Sequence, residues 1–104
     1  MLCGRVSPAK EPAEKFPVFI DFAGGLDATA GEALASAVVT SKRQSDGADS
    51  SGTFLLGTYT ISGTKIVQRI QAGLDDEVHV VQIRATTNAG NVLEGELEVP
   101  IREV

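Results

Sequence analysis

The sequence predicts an all-β fold, a sandwich of two antiparallel sheets with about seven strands. Two observations indicate it. Apolar and polar residues alternate with a period of two in several short segments, as half-buried strands require. Glycine, serine and aspartate separate these segments at close intervals, which is typical of turns between strands. No segment carries a convincing long helical pattern. A small β-barrel is the main alternative.

The chain begins with a segment of different composition. Residues 1–15 hold two prolines, five charged residues and few apolar ones, which is the composition of a flexible arm. We therefore expect an arm over residues 1–15 and one domain over residues 16–104. The first strand opens that domain, because every even position from 16 to 22 is apolar. Pro17 near its start suits the edge of a sheet.

The next two segments differ in how clearly they can be interpreted. Residues 34–40 are consistent with a strand or with an amphipathic helical stretch, because neighbouring alanines favour helix. Their short length favours the strand. Residues 41–52 are rich in serine, glycine and aspartate, and this composition predicts a polar surface loop.

Short β-prone pieces follow this loop. They lie at residues 53–56, 58–61 and 64–71. Gly57 interrupts the pattern and predicts a β-bulge. Gly63 predicts the turn of a hairpin.

The carboxyl-terminal segment predicts a second hairpin. Odd positions from 79 to 87 and from 93 to 101 are largely apolar, whereas the even positions are mostly polar. The two apolar faces match across the ladder when the loop has three residues, 88–90, with Gly90 in the left-handed conformation. Arg84 then faces Glu94, an opposite-charge neighbour worth ~0.2–1 kcal/mol.

Charge is unevenly distributed along the chain. The net charge is −5, and residues 74–104 hold seven acidic and two basic residues. The longest basic run is Lys42-Arg43, so we do not expect nucleic acid as a partner. Three glutamates share the polar face of the last strand: Glu94, Glu96 and Glu98. They predict either a solvated face that keeps the protein soluble or a contact for a basic surface on another protein.

The residues available for catalysis or metal binding are few. His79 is the only histidine, and the alternation places it at the inner end of a strand, where we expect it to fill the core. A Ser-His-Asp arrangement would need a serine and a carboxylate converging on His79, and no nucleophile-elbow pattern supports one. One histidine and Cys3 cannot complete a zinc site, and the acidic turns do not match a calcium loop. We therefore predict no enzyme, no cofactor and no metal.

Compartment and surface can also be judged from the sequence. Only two residues precede Cys3, so we expect no secretory signal, and no apolar run reaches the roughly 18 residues of a spanning helix. We expect synthesis in the cytoplasm and no membrane partner.

Phe19 occupies an odd position in the first strand and should face away from the core. It is therefore either covered by the arm or available to a partner.

A set of short motifs carries a family resemblance. In chain order they are Ile20-Asp21-Phe22, Leu26, Gly31-Glu32-x-Leu34, Ser36-Ala37, Gly73-Leu74-Asp75-Asp76, His79, Val81, Ala85-Thr86-Thr87-Asn88-Ala89-Gly90 and Leu97-x-Val99. Together they resemble the small immunoglobulin-like structural proteins of tailed phages and prophages, of fibre-tail adaptor or neck type. His79 stands where that family pattern would place a tyrosine, so the tyrosine's hydroxyl hydrogen bond is not expected.

The resemblance implies an immunoglobulin/fibronectin-like sandwich and a non-enzymatic component of a phage or prophage particle. Its partners would be other virion or tail proteins and copies of itself. We expect contacts through Phe19 and through Glu94, Glu96 and Glu98, and an arm that orders upon assembly. The alternative is an immunoglobulin-like binding or adhesion module that recognises protein or carbohydrate.

Overall fold

The computed structural model describes residues 2–5, 10–26 and 30–102. It is all-β, as predicted, apart from two helical turns. The elements in chain order are β1 (Leu2–Arg5), β2 (Phe16–Asp21), a 3-10 turn (Ala23–Gly25), β3 (Leu34–Arg43), α1 (Ser51–Phe54), β4 (Leu55–Ser62), β5 (Lys65–Ile70), β6 (Val78–Thr87) and β7 (Val92–Pro100). None of the helices in these residues has the length and apolar character needed to cross a membrane.

The strands form two sheets that share one core. The four-stranded sheet has the order β1-β7-β6-β3, and the three-stranded sheet has the order β2-β5-β4. All pairings are antiparallel except that β1 runs parallel to β7. Inward side chains of both sheets build the buried cluster: Val18, Ile20, Phe22, Leu34, Phe54, Ile66, Ile70, Val81, Ile83, Ala85, Val99 and Ile101. Removing these apolar surfaces from water is the main force that holds the two sheets together.

The last hairpin has the predicted register. Arg84 pairs with Glu94, and the Arg84 guanidinium lies 3.0 Å from the Glu94 carboxylate. The Thr87 amide donates to the Asn91 carbonyl at 2.8 Å, closing a loop of three residues. Gly90 has a φ of 83°, a backbone conformation that would be strained in a residue with a side chain. The alternation of apolar and polar residues therefore decided both the faces and the loop length.

The middle of the chain differs in part from the prediction. The segment at residue 34 is a strand, and it continues to Arg43 instead of ending at residue 40. Residues 53 and 54 were predicted as strand but complete the short helix α1, in which the Ser50 carbonyl accepts the amides of Thr53 and Phe54. That turn places the Phe54 ring in the core, where it is 1% exposed. Gly57 lies at an irregularity in the β4–β5 pairing with a φ of 74°, as a bulge requires.

The amino-terminal segment contacts the four-stranded sheet. Residues 2–5 pair with residues 95–98 of β7. Farther along, Lys10 forms a parallel bridge with Ile101. The boundary at residue 15 and the mobility of residues 1–15 stay predictions, but Lys10 already belongs to the folded body.

Lys10 is the most unusual residue of this segment, because it is buried completely. Its ammonium donates to the carbonyl of Ala72 at 2.6 Å, of Glu11 at 2.8 Å and of Pro12 at 3.3 Å. Burial lowers the pKa of this amine, and the nearby Glu14 carboxylate partly opposes that shift. The lysine therefore joins the amino-terminal segment to the turn before β6.

Candidate functional site

The predicted glutamates lie on the outer face of the four-stranded sheet, which we call the glutamate face. Glu94 accepts from the Arg84 guanidinium, and Glu96 accepts from the Gln82 amide at 2.8 Å. Glu98 pairs in register with Val80 on β6. The three carboxylates therefore form one row along β7, beside a groove of about 290 Å³ between β3 and β7.

Phe19 lies on the outer face of the three-stranded sheet, which we call the phenylalanine face. Its side chain is 51% exposed, as the alternation predicts for an odd position in β2. Phe19 pairs with Val67 on β5, and the Lys65 ammonium stands 4.6 Å from the centre of its ring. This is within the range of a cation–π contact. Exposed Arg69 continues the same row of β5.

The structure does not bring Phe19 and the glutamates together. The inner faces of the two sheets meet in the core, so the two outer faces point in opposite directions. The protein thus presents two separate surfaces, one with an exposed aromatic ring and one with a carboxylate row.

The single histidine lies in a polar group at one end of the core, which we call the corner cluster. It comprises Arg43, Ser50, Phe54, Glu77 and His79. The imidazole stacks on the Phe54 ring with 4.3 Å between centroids. Its Nδ1 lies 3.0 Å from the Ser50 hydroxyl and its Nε2 lies 3.1 Å from a Glu77 carboxylate oxygen. His79 is therefore buried in the core end, as predicted, but it also joins a serine to a carboxylate.

Hydrogen-bonding chemistry determines which group donates and which accepts along the relay from Ser50 through His79 to Glu77. A carboxylate only accepts hydrogen bonds, so the protonated Nε2 of His79 donates its hydrogen bond to Glu77. In the neutral ring Nδ1 then accepts from the Ser50 hydroxyl, which lies 2.8 Å from the hydroxyl of Ser41. Ser50 could not be identified from the sequence, because it lies 29 residues from His79. The Glu77-x-His79 spacing was a visible signal, since residues two apart share one side of an extended segment.

The relay has the three residue types of a hydrolase triad, and its serine is largely buried. Ser50 is 8% exposed, and its oxygen is shared between Ser41 and His79. Nearby amide donors are also engaged: that of Ser51 donates to Asp49, and that of Phe54 donates to the Ser50 carbonyl. Ser50, Glu77 and His79 all line a cavity of about 360 Å³. The arrangement binds the turn before β6 to the β3–α1 segment.

The charges of the corner cluster are strongly stabilised. The Leu74 amide, together with Arg43 and His79, lowers the pKa of Glu77 to about 2 against the opposing effect of burial. Hydrogen bonds from Arg43 lower the pKa of Asp46 to about 2, and the same contact raises the pKa of Arg43. These shifts arise from ion pairs and hydrogen bonds that hold the corner together. Among the described residues, no three His, Cys, Asp or Glu side chains gather in a metal-binding arrangement.

Comparison with known proteins gives one family. The model of the family described as podophage GP4 fiber-tail adaptor protein gp77 matches residues 10–100. No curated protein matches the chain. The match begins at Lys10 and ends at the last residue of β7, so it covers both sheets apart from β1.

Proposed function

Because this chain belongs to the podophage GP4 fiber-tail adaptor family, we propose that it is a non-enzymatic structural adaptor of a tailed phage or prophage particle. It holds together other virion proteins at the tail, neck or fibre attachment by surface contacts. The observation that carries this proposal is the family match across residues 10–100. The expected location is therefore the virion, after assembly.

The contact surfaces we propose are the two outer faces. Phe19 is the exposed aromatic on one face, and burying it against a partner would remove apolar surface from water. Glu94, Glu96 and Glu98 offer carboxylates for a basic surface on the other face. Aromatic anchors dominate many protein interfaces, whereas charged pairs mainly set specificity and association rate.

For the fold we propose the immunoglobulin-like sandwich. The support is the strand order: β3, β6 and β7 lie side by side as strands C, F and G do, and β2, β5 and β4 lie as B, E and D do. His79, near the start of β6, holds the corner that a tyrosine holds in that fold. Strand β1 departs from the constant-type pattern, because it pairs with β7 instead of β2.

For the corner cluster we propose a structural role. Ser50→Ala removes the hydroxyl that contacts both His79 and Ser41. We expect the variant to unfold more easily and to hydrolyse p-nitrophenyl acetate at the same rate as the wild type. A loss of hydrolysis in the folded variant would show that the serine is a nucleophile and would overturn the non-enzymatic proposal.

The adaptor role is tested in the particle. Phage carrying Glu94, Glu96 and Glu98 all changed to lysine, or carrying Phe19→Ser, should form particles that lack fibres. Leu74→Ser is the matched control for Phe19→Ser, because Leu74 is 68% exposed and lies outside both sheets. Fibre content is measured by negative-stain microscopy and gel analysis of purified particles. Full fibre content with both face variants would rule out these surfaces, and absence of the protein from wild-type particles would rule out the adaptor role.

A further inference from the structure

The two sheets have unequal numbers of strands, and this difference leaves one side of β2 open. In the four-stranded sheet β1 lies at the edge beside β7, and β7 contacts β2 across the core. At the opposite edge of that sheet, β3 contacts β4. Among residues 2–5, 10–26 and 30–102, no strand of the smaller sheet therefore lies opposite β1. The unfilled position in that layer is the one next to β2.

The backbone of β2 directs hydrogen-bonding groups toward this open side. Pro17 is paired with Arg69, and proline has no N–H, so this pair is not one that exchanges hydrogen bonds. Hydrogen-bonded pairs alternate along an antiparallel ladder, so Phe19 also points its N–H and C=O away from β5. The amide of Phe22, an even position, donates to the Thr64 carbonyl at 2.8 Å, as this alternation requires. In the part of the chain that the structure describes, no backbone group outside β5 hydrogen-bonds to Phe19.

Two other sheet edges are protected against pairing, whereas β2 is open at Phe19. On the outer edge of β3, the Ala37 amide donates to the Tyr59 hydroxyl at 3.0 Å. The edge strand β4 contains the bulge at Gly57. Side-chain cover and bulges both prevent the addition of another strand. On β2 the only such device is Pro17, which lies near the start of the strand.

From these observations we infer that β2 binds an extended segment of a partner protein as an added strand. This inference rests on the proposed function, in which the Phe19 side is a contact surface, and it names the kind of partner that this side binds. The added strand would take the N–H and C=O of Phe19 and would complete a layer of four strands opposite β1. The Phe19 ring, which is 51% exposed, would pack against the side chain that lies opposite it.

The same geometry defines the chemistry of the partner segment. Side chains of a strand alternate between its two faces. In the added strand, one set would point inward beneath the four-stranded sheet and should be apolar. The residue opposite Phe19 points outward, where a β-branched or aromatic side chain forms the most favourable cross-strand pair with the ring. Pro17 offers only its carbonyl, so the ladder is limited to about five residues, from Pro17 to Asp21.

The test uses a library of random short peptides displayed on yeast and selected for binding to the isolated protein. Enriched peptides are synthesised and added to isotope-labelled protein, and amide exchange is followed by NMR. In the free protein we expect the Phe19 amide to exchange fast, while the amides of Val18 and Ile20, which face β5, are protected. With peptide at about ten times its Kd, exchange at Phe19 should slow about 10-fold, since about a tenth of the protein remains free.

Two variants separate the ring of Phe19 from its amide. Phe19→Ala removes only the ring and should weaken peptide binding at least about 5-fold. Phe19→Pro also removes the outward N–H and should weaken binding by a further factor of about 2–12, the value of one hydrogen bond. The strand already holds a proline at Pro17, and a residue before proline prefers extended backbone, so Val18 can keep its conformation.

Val38→Ala is the matched control, because Val38 is 62% exposed and lies on the other sheet. It should bind the peptides as the wild type does. Circular dichroism melts show which variants fold. If Phe19→Pro does not fold, amide exchange in the wild type and peptide binding by Phe19→Ala decide the outcome.

The inference is overturned if no enriched peptide slows exchange of the Phe19 amide, or if folded Phe19→Pro binds as tightly as Phe19→Ala. It is also overturned if the Phe19 amide is protected in the protein alone and sedimentation shows dimers, because a second copy would then occupy the edge of β2.

The result is separable from the adaptor proposal. If no peptide protects Phe19 while the protein is found at the fibre attachment, strand addition is wrong and the adaptor role stands. If peptides protect Phe19 while the protein is absent from particles, the adaptor role is wrong and strand addition stands.

Discussion

Glu77→Gln tests whether the corner cluster stabilises the fold through its carboxylate. One Glu77 oxygen accepts from the Leu74 amide at 2.8 Å and from His79, while the other accepts from Arg43 at 3.0 Å. Glutamine can keep the first oxygen in place, but its amide then turns an N–H group toward the Arg43 guanidinium. A charge-assisted bond is lost, which costs about 1.5–3 kcal/mol.

The expected loss lies near the low end of that range. Arg43 keeps its contact with Asp46, and its side chain is 36% exposed, so water can replace part of the lost interaction. We expect the free energy of unfolding to fall by about 2 kcal/mol at pH 7, which lowers Tm by about 8–16 °C for a domain of this size. Urea unfolding followed by circular dichroism measures the difference.

The contribution of Glu77 to the stability of the fold should depend on pH. The pKa of Glu77 is lowered to about 2 in the folded protein, whereas an unfolded glutamate has a pKa of about 4.3. Its contribution to stability is therefore present above about pH 5 and is lost as pH falls toward 2. The gap between wild type and Glu77→Gln should shrink over this range, because both side chains become neutral.

Glu14→Gln is the matched control, since its exposed side chain accepts the Glu11 amide, which glutamine can also accept, and its attraction to the Lys10 ammonium is weaker than the opposing effect of burial. It should change the free energy of unfolding by less than about 0.5 kcal/mol. A stabilising role of the Glu77 carboxylate is refuted if Glu77→Gln is as stable as the wild type at pH 7, or if the difference in stability between the two proteins is unchanged between pH 7 and 2.5.

Three further changes test other parts of the fold by urea unfolding. Tyr59→Phe removes the hydroxyl that accepts the Ala37 amide at 3.0 Å and should cost about 1 kcal/mol; no loss would mean that water caps this edge of β3 equally well. Lys10→Met leaves the Ala72 carbonyl without its ammonium donor and should lower the free energy of unfolding by about 1–3 kcal/mol. The backbone amide at position 10 should then exchange faster than in the wild type, and unchanged exchange would show that the ammonium does not hold this segment. Gly90→Ala forces a side chain into a left-handed turn at a φ of 83° and should cost about 1 kcal/mol, whereas equal stability would mean that the loop relaxes.

The last hairpin could be predicted because its determinants are local. Alternation along β6 and β7 shows which residues of each strand point inward. These residues are odd-numbered on both strands, so inward residues pair with each other only when the two residue numbers of each pair add to an even value. Arg84 opposite Glu94 and Gly90 in the loop both follow from that register. The outward position of Phe19 followed from the same alternation in β2.

Other features could not be predicted, because they depend on contacts between distant residues. Lysine is almost never fully buried unless its charge is paired, and only the fold reveals that Lys10 reaches the Ala72 carbonyl, 62 residues away. Ser50 meets His79 in the same non-local way. The α1 turn was missed because four residues are too few for a helical period, and burial of Phe54 decided its conformation.

Electron cryo-microscopy of intact phage particles tests the adaptor account most directly. We expect density for this sandwich between the tail and the fibre attachment, with the Phe19 and Glu94 sides both buried against neighbouring proteins. The same images would contradict the account if the protein were absent from the particle, or if both outer faces were open to solvent in the assembled tail.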